Sequence, residues 1–78
     1  MTNEWYFRDG FYTILASENG DKILDEIVQD FNTHHPDSLI KELTIDMYSL
    51  EHHFDELLKF QKRINDYGNL GYNFLLCD

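Results

Sequence analysis

Residues 39–48 read Leu-Ile-Lys-Glu-Leu-Thr-Ile-Asp-Met-Tyr, and the two-residue rhythm of this stretch decides the fold. Leu39, Leu43, Ile45 and Met47 fall on one face, and Glu42, Thr44 and Asp46 on the other. That alternation is what a strand with one dry and one wet face requires. Lys41 interrupts the apolar series, so the strand either enters the core only from Leu43 or lies near a sheet edge.

The segments on either side follow a different period. Upstream, Ile23, Leu24, Ile27, Val28 and Phe31 recur at the spacing of one helix face, with Asn19 or Asp21 placed to cap the start. Pro36 biases His35 away from helical geometry, so this helix ends near Thr33 or His34. Downstream, Ser49 is a good N-cap for a second helix carrying Leu50, Phe54, Leu57, Leu58, Ile64 and Tyr67, with Gly68 as its stop. It is expected to run unbroken for about five turns. Glu51, Asp55 and Glu56 fall early in it and Lys59, Lys62 and Arg63 late, in the order that suits the helix dipole.

Further out, Trp5–Arg8 and Phe11–Leu15 flank Asp9-Gly10, a dipeptide suited to the positive φ angles of a type I′ turn, so the N-terminal region reads as a hairpin. At the other end Leu70, Tyr72, Phe74 and Leu76 alternate as a last strand. The order is β-β-α-β-α-β. The chain is therefore expected to be a small two-layer α+β domain, a mixed four-stranded sheet with two amphipathic helices packed mainly on one face. The opposite sheet face would then carry Glu42, Thr44 and Asp46. Strand order does not follow from the pattern.

At 78 residues the chain fits one domain spanning 1–78, and 42% apolar with 15% aromatic residues is too rich for a disordered tail. One cysteine, Cys77, allows no internal disulfide, which suits a reducing, cytoplasmic setting. Neither a signal peptide nor an apolar span of membrane length is evident. Fifteen acidic against six basic side chains give a net charge of −9, which disfavours direct binding of nucleic acid and of anionic membranes and favours a basic partner.

Motifs for chemistry are lacking. The pairs His34-His35 and His52-His53 do not have the i, i+4 placement that brings two rings to one ion, and they should lie at opposite ends of the sheet. No metal or other cofactor is expected. Asp21 with Asp25 and Glu51 with Asp55 share helix faces but read as exposed pairs, and no phosphate loop, nucleophile elbow or dinucleotide fingerprint occurs. We therefore expect no catalytic activity.

The informative features are charge and aromatic content. Asp21, Asp25, Glu26 and Asp30 on the first helix, with Glu42 and Asp46 on the third strand, form acidic rows. Carboxylates four residues apart on a helix are separated by roughly 6 Å along its axis. That spacing is of the same order as that of phosphates along a nucleic acid. In the hairpin Trp5 and Phe7 lie on one face and Tyr6 on the other, so large rings occupy both faces. Trp5 and Tyr6 are the expected aromatic anchors beside those acids.

In size, charge and lack of catalytic motifs, the chain resembles the small inhibitors that bacteriophages direct against host defence enzymes, including anti-CRISPR and anti-restriction proteins. That resemblance implies an acidic, nucleic-acid-mimicking inhibitor that occupies a basic site of a nucleic-acid-binding enzyme or effector complex. An immunity protein neutralising a nuclease toxin is a similar alternative. A self-associating structural or regulatory module, a homo-oligomer held by a strand edge and the aromatic hairpin, is a different one.

Overall fold

The computed structural model describes residues 4–77. It contains β1 (Trp5–Arg8), β2 (Phe11–Ile14), α1 (Gly20–His34), β3 (Glu42–Asp46), α2 (Tyr48–Glu51), α3 (Phe54–Gly68) and β4 (Asn73–Cys77). The strands form one mixed sheet in the order β1-β2-β3-β4, and the protein is a two-layer α+β fold.

The hairpin forms as its turn dipeptide dictates. Asp9 and Gly10 adopt φ of 53° and 85°, and the register pairs Trp5 with Ile14 and Phe7 with Tyr12. β2 and β3 run parallel, as do β3 and β4, so both crossovers progress in the same direction along the sheet. α1 packs on α3, and both helices lie on one face of the sheet. The other face is open and carries Tyr6, Arg8, Phe11, Thr13, Glu42, Thr44, Asp46, Asn73, Leu75 and Cys77.

The core lies between the layers. Tyr12 and Ile14 from β2, Leu43 and Ile45 from β3, Met47 and Leu50 beyond it, and Ile23, Leu24, Ile27, Val28 and Phe31 from α1 are buried, with Phe60 of α3 fully enclosed among them. The α1 stripe is the one its period implies, and the helix ends at His34. Pro36 follows at the point where the helix has stopped.

Several details differ from the sequence pattern. β3 begins at Glu42, and Leu39 lies in the preceding loop, 99% exposed. Lys41 thus marks the start of the strand, which is central rather than at an edge. The expected second helix is two helices. α2 is a single turn that begins at Tyr48, so Ser49 lies inside it rather than capping it, and the chain straightens at His53 (φ −131°, ψ 85°) before α3 starts. Two faces of the α3 pattern compete for the core, and Phe60 takes the place expected of Phe54 and Leu58, which remain 69% and 49% exposed. Asn19 holds the N-cap position of α1 but makes no capping bond. Its side-chain amide instead donates to Glu4, and the Gly20 N–H is satisfied by the carboxylate of Glu56 from α3. Here the two helices approach so closely that a Cβ on residue 20 would collide with the Glu56 carbonyl oxygen, which explains the glycine.

Candidate protein-binding groove between β1 and α1

Strand alternation sends Trp5 and Phe7 of β1 to the helix side of the sheet, beside Tyr12 of β2. β1 is an edge strand, so a groove remains between it and the flank of α1. Its volume is about 710 Å³, and it is lined by Trp5, Phe7 and Tyr12 on the sheet side and Glu26, Asp30 and His34 on the helix side, with Tyr6 and His35 at its margins.

Glu26 and Asp30 reach the same wall because they are four residues apart on α1. Each is held by an aromatic donor. The Trp5 indole Nε1–H donates to Glu26 Oε1 at 3.0 Å, and the Tyr12 hydroxyl donates to Asp30 Oδ2 at 3.1 Å. The second oxygen of Asp30 lies 3.5 Å from His34 Nδ1. The rings brace one another, with centroid separations of 5.7 Å for Trp5–Tyr12 and 4.6 Å for Phe7–Tyr12, both tilted. Burial, and then the hydrogen bond to Asp30, pushes the Tyr12 phenol well above its ordinary pKa, so it stays a neutral donor.

Two carboxylates therefore stand at the edges of fixed rings, each at the end of an aromatic N–H or O–H donor. A carboxylate accepts several hydrogen bonds, and one aromatic donor leaves each of these with further capacity. A cation entering the groove would meet negative charge on the α1 side and the accessible rings of Phe7 and Trp5 on the β1 side, an environment suited to a guanidinium or ammonium group.

Of the eight residues expected to bind a partner, Trp5, Glu26 and Asp30 bring their side chains to this groove, while Tyr6 borders it with its ring on the opposite sheet face. The others lie elsewhere. Asp25 faces α3, where its carboxylate accepts the Tyr67 hydroxyl at 2.7 Å and lies 3.3 Å from Arg63 Nη2. Asp21 shares that flank and takes the backbone N–H of Lys22 at 2.9 Å. Glu42 and Asp46 occupy the open sheet face with the Tyr6 side chain, and accept hydrogen bonds from the Asn73 amide at 3.2 Å and the Tyr48 N–H at 3.1 Å. The acids thus do not form one row. Moreover, Asp25, Glu26 and Asp30 are not freely solvated positions, because each satisfies the polar tip of an aromatic residue packed against the core.

Phe7, Tyr12 and His34 were not among the expected contact residues. The hairpin register, which sets Phe7 opposite Tyr12, is the signal that places both rings in the groove. The two histidine pairs lie at opposite ends of the sheet, one closing α1 and one between α2 and α3. Among the described residues, no group of three His, Cys, Asp or Glu is arranged to hold a metal ion, and no helix is long and apolar enough to cross a membrane. No family model, curated protein or solved structure matches the chain.

Proposed function

We propose that the protein is a small acidic inhibitor that binds a basic protein by receiving a lysine or arginine side chain in the groove between β1 and α1. The observation that carries this reading is the convergence of Glu26 and Asp30 with the half-buried Trp5 ring and the exposed Phe7 ring around one accessible space, backed by the buried Tyr12. The net charge of −9 adds a field that draws a basic surface in and speeds encounter, an effect that salt screens. Occupying basic residues that otherwise contact phosphates would block a nucleic-acid-handling enzyme or effector complex. That is the action implied by the resemblance to anti-CRISPR and anti-restriction inhibitors, and an immunity protein against a nuclease toxin would share the chemistry. A cytoplasmic setting follows from such a partner.

The test is titration of the protein with a short oligo-arginine peptide, followed calorimetrically and by the fluorescence of Trp5, the single tryptophan. Glu26→Gln with Asp30→Asn keeps the acceptors for Trp5 and Tyr12 while removing both charges. Binding should be seen at low salt, perturb Trp5, and weaken by about tenfold or more in the double variant, a change of about 1.4 kcal/mol. Equal affinity of the double variant would overturn the groove as the site. For the cognate partner, recovery from lysate that fails at high salt would agree with the electrostatic account.

A further inference from the structure

We infer that the outer edge of β4, with the adjoining flank of α3, pairs with the same surface of a second copy of this chain. β4 ends the sheet, and among the described residues no strand pairs with its far side. In a strand the N–H and C=O of one residue point to the same neighbour and alternate along the chain. The Asn73 N–H donates to the Lys41 carbonyl and the Cys77 carbonyl accepts from the Met47 N–H, so residues 73, 75 and 77 face β3. Phe74 and Leu76 consequently turn their backbone donors and acceptors outward.

This edge lacks the devices that usually guard one. Asn-Phe-Leu-Leu-Cys carries no charge, proline or glycine, whereas the opposite edge strand ends in Arg8 and borders the acidic groove. Its flanks are apolar on both sides. Leu75 is 45% exposed on the open face and Leu76 42% exposed on the helix side. α3 adds to the same seam. One flank of that helix meets α1 through Glu56, Arg63 and Tyr67, so helical periodicity turns Phe54 and Leu58 to the other flank, on the side of β4. The two exposed residues that the core does not use therefore lie beside the strand edge that the sheet does not use.

The second copy is the fitting occupant because the edge is complementary to itself. A two-fold axis at Leu75 sets Phe74 opposite Leu76 of the partner and Leu75 opposite its counterpart, in antiparallel pairing. Asn73 then faces Cys77, so every cross-strand pair is uncharged. Phe74 and Leu76 exchange backbone hydrogen bonds in both directions, and two sheets become one of eight strands. The Phe54–Leu58 strips are carried to the shared boundary, where they extend the buried area beyond the strands alone.

Sedimentation equilibrium of the full chain over a range of concentrations tests this, with Leu58→Glu and Leu75→Lys as surface substitutions. The expected result is a mass approaching twice 9.4 kDa, strengthened by salt because like-charged copies repel less, and a dissociation constant raised about tenfold or more in each variant. Amide exchange at Phe74 and Leu76 should slow as the dimer forms. A mass of one chain at all concentrations up to the millimolar range would overturn the inference. So would a dimer in which both variants associate normally and the two amides exchange unprotected. The salt response separates this association from binding of a basic protein, which salt weakens, so either can fail alone.

Discussion

The carboxylate of Glu56 on α3 accepts the backbone N–H of Gly20, the first residue of α1, at 2.7 Å. One helix thus caps its neighbour within the helix layer. The Gly20 N–H and then Lys59 hold the Glu56 carboxyl below the usual carboxylate range. A depressed pKa gives stability that is present above the unfolded value and lost as pH falls through the folded one. Acid should therefore weaken the protein in the range where Glu56 takes up a proton. Glu56→Gln should flatten that part of the profile of melting temperature against pH while lowering the neutral-pH value.

Gly20→Ala should destabilise by about 1–3 kcal/mol, because the added methyl meets backbone rather than a yielding side chain. Denaturant unfolding measures it. Gly68→Ala serves as the control, since a Cβ there meets nothing within 4 Å.

Tyr12 and Tyr67 should make stability fall at alkaline pH. Burial, and then the hydrogen bond to Asp25, pushes the Tyr67 phenol up to about 12, and Tyr12 is raised further in the same manner. Above about pH 10 the unfolded chain loses phenolic protons that the folded chain retains. Stability should be level below that pH and fall as pH rises toward 12. Absorbance of tyrosinate during an alkaline titration should show late ionisation coincident with loss of circular dichroism, and Tyr67→Phe should diminish the coupling.

Reversing charge at Asp25 and Glu26 together should cost the fold about 1–3 kcal/mol, since the Tyr67 hydroxyl and the Trp5 indole both lose acceptors and Arg63 gains a like-charged neighbour. From sequence alone these positions read as free surface, on which the same change would be tolerated. Reversal at Asp37, which is exposed and carries no such bond, should leave thermal unfolding unchanged.

Phe60→Ala should remove about 3–5 kcal/mol. A chain of this length holds on the order of 4–12 kcal/mol in total. The variant should therefore unfold at markedly lower urea concentration or fail to fold, whereas Phe54→Ala should leave the urea midpoint nearly unchanged at protein concentrations low enough for the chain to be monomeric.

Much of the fold was legible because it rests on local rules. Asp9-Gly10 specifies its turn, the α1 stripe is narrow and unambiguous, and the alternation from Leu43 to Met47 has one apolar face. The α3 region was harder, because Phe54 and Leu58 form a second apolar strip beside that of Leu57, Phe60 and Ile64, and period alone does not say which strip meets the sheet. The straightening at His53 lies outside any propensity signal. At the candidate site, composition disclosed the acids and the rings but not their pairing. Which carboxylate receives which indole or phenol depends on how α1 sits over the hairpin, a tertiary relation with no counterpart in spacing.

The sheet is ordered as its strands are synthesised, each pairing with the one before it. Loop-closure costs stay modest in such a topology, and folding can advance from the hairpin outward. Of the described strands, β4 should then dock last, since it pairs with β3 alone and packs beneath α3. Until it arrives, the edge of β3 is a growing end, and nascent chains at high local concentration can supply a foreign strand in its place. Expression yield should accordingly depend on how quickly residues 73–77 find their own sheet.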